Sequence, residues 1–175
     1  MNEFIVAVTI IGLVIFFIAQ RPSTFTWTRR LVMPHPADKI FPHVNNLKKW
    51  NDWSPWAKMD PNCKTTFEGP EEGNGAVMKW EGNRDVGMGS ITVTSSQPAK
   101  KVGYRLDFLK PMKGTSTAEM TFTPDGAGTA VDWTMTGKNN FVAKLMGIFI
   151  DCEKMIGEQF EKGLANLNDV VKKAG

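Results

Sequence analysis

The chain has 175 residues, a formal net charge of +3 and 42% hydrophobic residues, the profile of one globular domain with an appendage. Its basic residues stand singly or in pairs such as Arg29-Arg30, Lys48-Lys49, Lys100-Lys101 and Lys172-Lys173, with no long basic block, so a nucleic-acid partner is not expected.

The appendage comes first. Phe4 to Ala19 is apolar apart from Thr9 and Gly12. As a helix it would reach about 24 Å, somewhat short of a ~30 Å hydrocarbon slab, and adding Met1 and Gln20 would close most of the gap. Glu3 before the run and bulky Phe17 two places before Ala19 argue against a cleaved signal peptide. A buried soluble helix would carry a polar stripe, which this segment lacks. The expectation is an uncleaved single-pass transmembrane anchor over residues 1–20, a linker at 21–23 and a domain over 24–175. Arg21, Arg29, Arg30 and Lys39 follow the segment and no basic side chain precedes it, which places the domain in the cytoplasm. Cys63 and Cys152, the only cysteines, read as two thiols there, or as a disulfide in an oxidising compartment.

Thr24 to Met33 reads as a strand, ended by Pro34-His35-Pro36. Pro36 suits the first position of a short helix through Ala37, Ile40, Phe41 and Val44. A second short helical turn leads into Trp50-Asn51-Asp52-Trp53-Ser54-Pro55-Trp56, which holds three of the six tryptophans. Each ring removes a large apolar area from water, so these three either wall a cavity or plug the edge of a core. From Cys63 to Lys138 the pattern turns to period two, with turn clusters at Glu68-Gly69-Pro70, Gly73-Asn74-Gly75, Glu81-Gly82-Asn83, Ser96-Gln97-Pro98, Lys110-Pro111 and Pro124-Asp125-Gly126. About six antiparallel strands follow from that spacing. A helix of roughly thirty residues, from about Asn140 to Lys172, closes the chain; its apolar stripe runs through Leu145, Ile148, Phe149, Cys152, Ile156, Phe160, Leu164 and Leu167. Only a sheet face is large enough to cover that stripe, which predicts an α+β two-layer domain with the helix lying in a curved antiparallel sheet.

Strand parity sorts the side chains of that sheet. Met78 and Trp80, Ile91 and Val93, Val102, Tyr104, Leu106 and Phe108, Ala118, Met120 and Phe122, and Val131, Trp133 and Met135 face the helix, while Lys79, Arg105, Asp107, Glu119 and Asp132 face out. The inner wall holds almost nothing that ionises. Tyr104, the only phenol, reads as a hydrogen-bond anchor for a ligand's polar end, or else as a core tyrosine satisfied by a neighbour. It is also the one weak catalytic candidate. His35 and His43 lack partners at useful spacing and read as surface or capping residues. No His/Cys/carboxylate cluster has metal-ligand spacing, and the Gly-x-Gly triplets at Gly73, Gly87 and Gly126 lack a strand-to-helix setting, so neither a metal nor another cofactor is expected. Met78, Met120, Met135, Met146 and Met155 favour an adaptable pocket over a fixed one.

The order strand, two short helices, six strands and long helix resembles the helix-grip fold of the START-like superfamily. The wording Trp53-Ser54-Pro55-Trp56, Asp60-Pro61, Phe67-Glu68-Gly69, Gly75-Ala76, Met78-Lys79-Trp80, Val86-Gly87-Met88-Gly89-Ser90, Thr129-Ala130-Val131-Asp132-Trp133 and Phe160-Glu161-Lys162-Gly163-Leu164 is similar to its polyketide cyclase/dehydrase-like branch, SRPBCC. The resemblance covers residues 24 to 173. It implies a Bet v 1-like sheet of about seven strands around the long helix, and a deep apolar cavity that accepts lipids or other hydrophobic molecules. It does not imply one reaction, because the superfamily mixes carriers, enzymes and partner-binding modules.

The candidate cavity wall is Trp50, Trp53, Trp56 and Phe67 at one end, then Met78, Trp80, Ile91, Tyr104, Leu106 and Phe108, then Met120, Trp133 and Met135, with Phe149, Cys152 and Ile156 from the helix. The function expected is membrane-tethered binding of a hydrophobic small molecule. An acyl guest burying ~10 methylenes gains roughly 8 kcal/mol, and association costs of at least ~4 kcal/mol leave a modest affinity that suits a carrier. Two rivals stand beside it: a cyclase/dehydrase-like enzyme working through Tyr104, and a protein-binding module similar to the Hsp90 ATPase activators, using the outer sheet face and Lys154, Glu158 and Lys162.

Overall fold

The computed structural model describes residues 2–174; Met1 of the expected anchor and Gly175 of the expected domain lie outside the described residues. Helix α1 (Asn2–Ala19) precedes strand β1 (Thr24–Met33) and helix α2 (Ala37–Asn45). A 3₁₀ turn at Leu47–Lys49 leads into the short helices α3 (Trp50–Trp53) and α4 (Pro55–Met59). Six strands follow, β2 (Lys64–Glu68), β3 (Val77–Glu81), β4 (Met88–Gln97), β5 (Lys101–Lys110), β6 (Gly114–Asp125) and β7 (Gly128–Lys138). Helices α5 (Phe141–Met146) and α6 (Cys152–Ala174) complete the chain.

The strands form one antiparallel sheet in the order β1-β7-β6-β5-β4-β3-β2. β2 to β7 run as a meander, and β1 closes the far edge by pairing with β7 from Thr24↔Lys138 to Met33↔Thr129. The alternation along each strand sends Met78, Ile91, Val93, Val102, Tyr104, Ala118, Met120, Phe122, Val131, Trp133 and Met135 into the core, as strand parity requires. Register shifts after Met88 and Val93 bend β4. Gly103 answers the second one, since a Cβ there would sit 2.5 Å from the Ser95 hydroxyl. Helix α6 packs Phe160, Leu164, Leu167 and Val171 onto the inner face, giving a helix-grip fold.

The single long terminal helix is in fact two. Gly147 ends α5, with its N–H bonded to the Ala143 carbonyl. A new helix then needs its own cap, which Asp151 provides by accepting from the Lys154 N–H at 2.9 Å. The expected stripe is therefore broken, and Leu145, Ile148 and Phe149 are exposed instead of buried under the sheet.

Among the described residues, no helix is long and apolar enough to cross a membrane. Helix α1 stops at Ala19, with Gln20 already in a turn, so the flanking residue expected to lengthen it does not. Its apolar stretch from Phe4 rises only about 24 Å against a ~30 Å hydrocarbon core. This overturns the expected anchor over residues 1–20 and the membrane and cytoplasmic placement that depended on it. The end of α1 docks on the domain by an exchange of helix caps. The Lys144 ammonium donates to the Ala19 carbonyl at 3.0 Å, and the Arg21 guanidinium donates to the Gly147 carbonyl at 2.8 Å. Each cation thus meets the negative end of the other's helix.

Candidate functional site

Helix α6 does not lie symmetrically over the sheet. Arg29, on the inner face of edge strand β1, donates to Glu161 at 2.9 Å, and its guanidinium lies against Gly157, where any side chain would collide with it. Helix α6 thus packs against β1. A cavity of about 420 Å³ lies between sheet, helix and the α3–α4 segment.

Its floor is Met78, Trp80, Ile91, Leu106, Phe108, Ala118, Trp133 and Met135. Ile156 and Phe160 of α6 roof it, and Trp50, Asn51, Ser54, Trp56, Ala57, Asp60, Pro61, Cys63, Thr65 and Val86 form the end wall. The aromatic rings brace one another. Trp133 stacks on Phe160 with centroids 4.1 Å apart and planes 4° from parallel, and Trp56 meets both rings edge-on at 6.1 and 6.3 Å. Such contacts tie sheet, α4 and α6 together at the cavity's edge.

Ten of the residues expected at the cavity line it: Trp50, Trp56, Met78, Trp80, Ile91, Leu106, Phe108, Trp133, Met135 and Ile156. Trp53 does not; it is fully buried in the core, its indole N–H donating to the His43 carbonyl at 3.0 Å. Tyr104 does not either, because its hydroxyl donates to the Val44 carbonyl at 2.8 Å, and burial raises its pKa well above the ordinary value. Met120 is core. Phe67 shares the inner face with its partner Met78, but on edge strand β2 nothing covers it and it is 42% exposed. Phe149, 82% exposed, and Cys152 belong to the segment around the helix break and lie off the cavity.

Pattern reading missed the irregular end wall. Phe160 and Ala118 carried a signal, one by its four-residue step from Ile156 and the other by strand parity. Asp60, Cys63 and Thr65 carried only a turn signature: the Asp60 side chain accepts from the Asn62 N–H at 3.1 Å, and its carbonyl accepts from the Cys63 N–H. Of the histidines, neither lines the cavity, and burial followed by the Lys49 charge lowers the pKa of His43 against the opposing pull of Asp52. Both cysteines are free thiols. Burial, then the Asp60 charge, raise the pKa of Cys63 against a backbone hydrogen bond at Glu81, making it a poor nucleophile.

The wall is thus suited to removing a hydrophobic body from water. A pocket of several hundred cubic ångströms with mostly apolar walls and a few polar groups has the form of a small-molecule site.

Comparison with known proteins agrees with this architecture. The family model described as polyketide cyclase / dehydrase and lipid transport matches residues 24–172. Among solved structures, protein MLL2253 from Mesorhizobium loti superposes with a TM-score of 0.63 at 14% identity, covering 86% of this chain and 99% of that one. The di-domain ARO/CYC StfQ from the steffimycin biosynthetic pathway gives a TM-score of 0.62 at 11% identity over 89% of this chain and 53% of that one. The Aha1 dimer from Colwellia psychrerythraea gives 0.60 at 16% identity over 84% and 96%. At these identities the likeness is one of fold. Among curated proteins no sequence matches.

Proposed function

The chain belongs to the polyketide cyclase/dehydrase and lipid transport family, and on that premise we propose that its 24–175 unit binds a lipid or other hydrophobic small molecule in the cavity between sheet and terminal helix, without catalysis. The observation that carries this reading is the 420 Å³ cavity itself, walled by Trp50, Trp56, Trp80, Phe108, Trp133 and Phe160. A guest there gains about 25 cal/mol for each Å² of apolar surface it hides. Met78 and Met135 in the floor let the pocket adapt to more than one shape.

General acid–base turnover needs a donor and an acceptor within reach of one substrate. The ionisable side chains in the described wall are Asp60, held by two backbone N–H groups, and Cys63, whose thiol is shifted up. Tyr104, the residue a cyclase-like reading would use, is spent on Val44. These features favour holding over conversion.

Native mass spectrometry of the full chain, as purified and after exposure to a broad panel of fatty alcohols, sterols and polyketide-like aromatics, tests the proposal. We expect at least one one-to-one adduct. Methyl NMR shifts at Met78 and Met135 will place it in the cavity rather than on exposed α1. No adduct across the panel, or adducts that leave both methyls unmoved, would sink the reading.

A further inference from the structure

Asp60 is the one charged side chain among the described residues that line the cavity; no Lys, Arg or His shares the wall with it. It is 9% exposed and belongs to none of the ion pairs among the described residues. Its oxygens accept only neutral backbone donors, the Asn62 N–H at 3.1 Å and the Asn83 N–H at 2.6 Å. These bonds fix the carboxylate in place without neutralising its charge. A carboxylate withdrawn from water and left without a counter-ion is costly, and a partner charge recovers part of that cost.

The same end of the cavity carries an aromatic face. Residues 82–87, which join β3 to β4, grip both groups. Asn83 donates its backbone N–H to Asp60, and the Val86 carbonyl accepts from the Trp80 indole N–H at 3.3 Å. Asn83 stiffens this loop by accepting from the Asp85 and Val86 N–H groups at 2.9 and 3.1 Å. With its N–H tied to the loop, Trp80 contributes its ring to the wall, braced edge-on by Phe108 at 6.0 Å. Trp56 joins from α4, one turn before Asp60 in the chain. A fixed carboxylate beside indole faces attracts a cation twice, through the full charge and through the ring quadrupoles. A fatty carboxylate would meet repulsion at the same place.

We propose that the guest carries a positive charge: a protonated amine or quaternary ammonium on a hydrophobic body, its cationic end seated between Asp60 and the Trp56 and Trp80 rings. The inference rests on the reading of the cavity as a hydrophobic-ligand site and names the chemical class that site prefers.

The test uses the full chain and three probes with the same twelve-carbon tail, dodecyltrimethylammonium, dodecanol and dodecanoate, each below its aggregation threshold. Affinities are read from the Met78 and Met135 methyl shifts. Dodecyltrimethylammonium should bind about tenfold more tightly than dodecanol, and dodecanoate more weakly than either. Asp60→Asn should bring the ammonium probe to within about twofold of the alcohol measured on the same variant. Equal affinities for the three probes, or a preference for dodecanoate, would overturn the cationic assignment while leaving the hydrophobic cavity intact. Failure of all three to move the methyls would overturn both. An ammonium preference that survives Asp60→Asn would remove the carboxylate from the proposal. Should the variant not fold, the ranking of the probes on the unsubstituted chain still decides.

Discussion

Tyr104 donates its hydroxyl proton to the Val44 carbonyl across 2.8 Å, tying β5 to the end of α2 in a fully buried setting. Removing that donor leaves a buried carbonyl unpaired, so Tyr104→Phe should cost about 1–3 kcal/mol in urea unfolding while ligand affinity stays as it was. Burial raises the phenol's pKa in the folded state above its unfolded value near ~10. The folded chain therefore keeps this proton where the unfolded chain has lost it. The tyrosine's contribution is whole below about pH 10 and is lost as pH climbs from there toward the raised value. Unfolding followed from about pH 8 to pH 11 should fall more steeply for the unsubstituted chain than for Tyr104→Phe; identical slopes would show that the phenol is not held neutral. The period-two pattern put Tyr104 on the inner face correctly. Which inner-face residues meet a ligand depends on what lies above them, and α2 covers this one.

The break between α5 and α6 shapes the cavity roof. Asp151 caps α6 one residue before Cys152, and the first turn it secures leads directly to Ile156, whose side chain lines the cavity. Asp151→Ala should cost roughly 0.5–2 kcal/mol and speed amide exchange in the first turn of α6, leaving Leu164 and Leu167 as protected as before. Uniform loss of protection along the whole helix would show that the cap supports the entire element. The break had a local signature in Gly147 followed by Asp151, but a stripe of apolar residues continues across it in the sequence. Periodicity alone extends the helix, because Leu145, Ile148 and Phe149 keep the spacing without having a surface to meet. Helix α1 carries the same lesson, since an apolar run states what a helix avoids and its length decides what it can cross.

For the molecule as a whole, an unfilled cavity is stability forgone in exchange for room. Ala118, buried on β6 and part of the cavity floor, tests that balance. Ala118→Leu adds apolar atoms where overpacking would ordinarily cost about 1–3 kcal/mol, yet here there is space to receive them. Thermal unfolding should show no loss, and a gain of up to about 2 kcal/mol, while affinity for any lipophile identified in the cavity drops at least about tenfold. A destabilised variant with undiminished binding would place the guest elsewhere.

Local pattern determined most of the architecture: strand alternation, turn clusters and the stripe of α6 are each set by neighbours a few residues apart, so a linear reading recovers the seven strands and their inner face. Tertiary structure alone decided where the space is. It depends on α6 packing against β1, where Arg29 meets Gly157 and Glu161, and on an end wall in which Asp60 accepts from the N–H of Asn83, 23 residues further along the chain, a link that no periodicity encodes. A cavity is the volume that packing leaves over, and it is defined only once every surrounding element has its place.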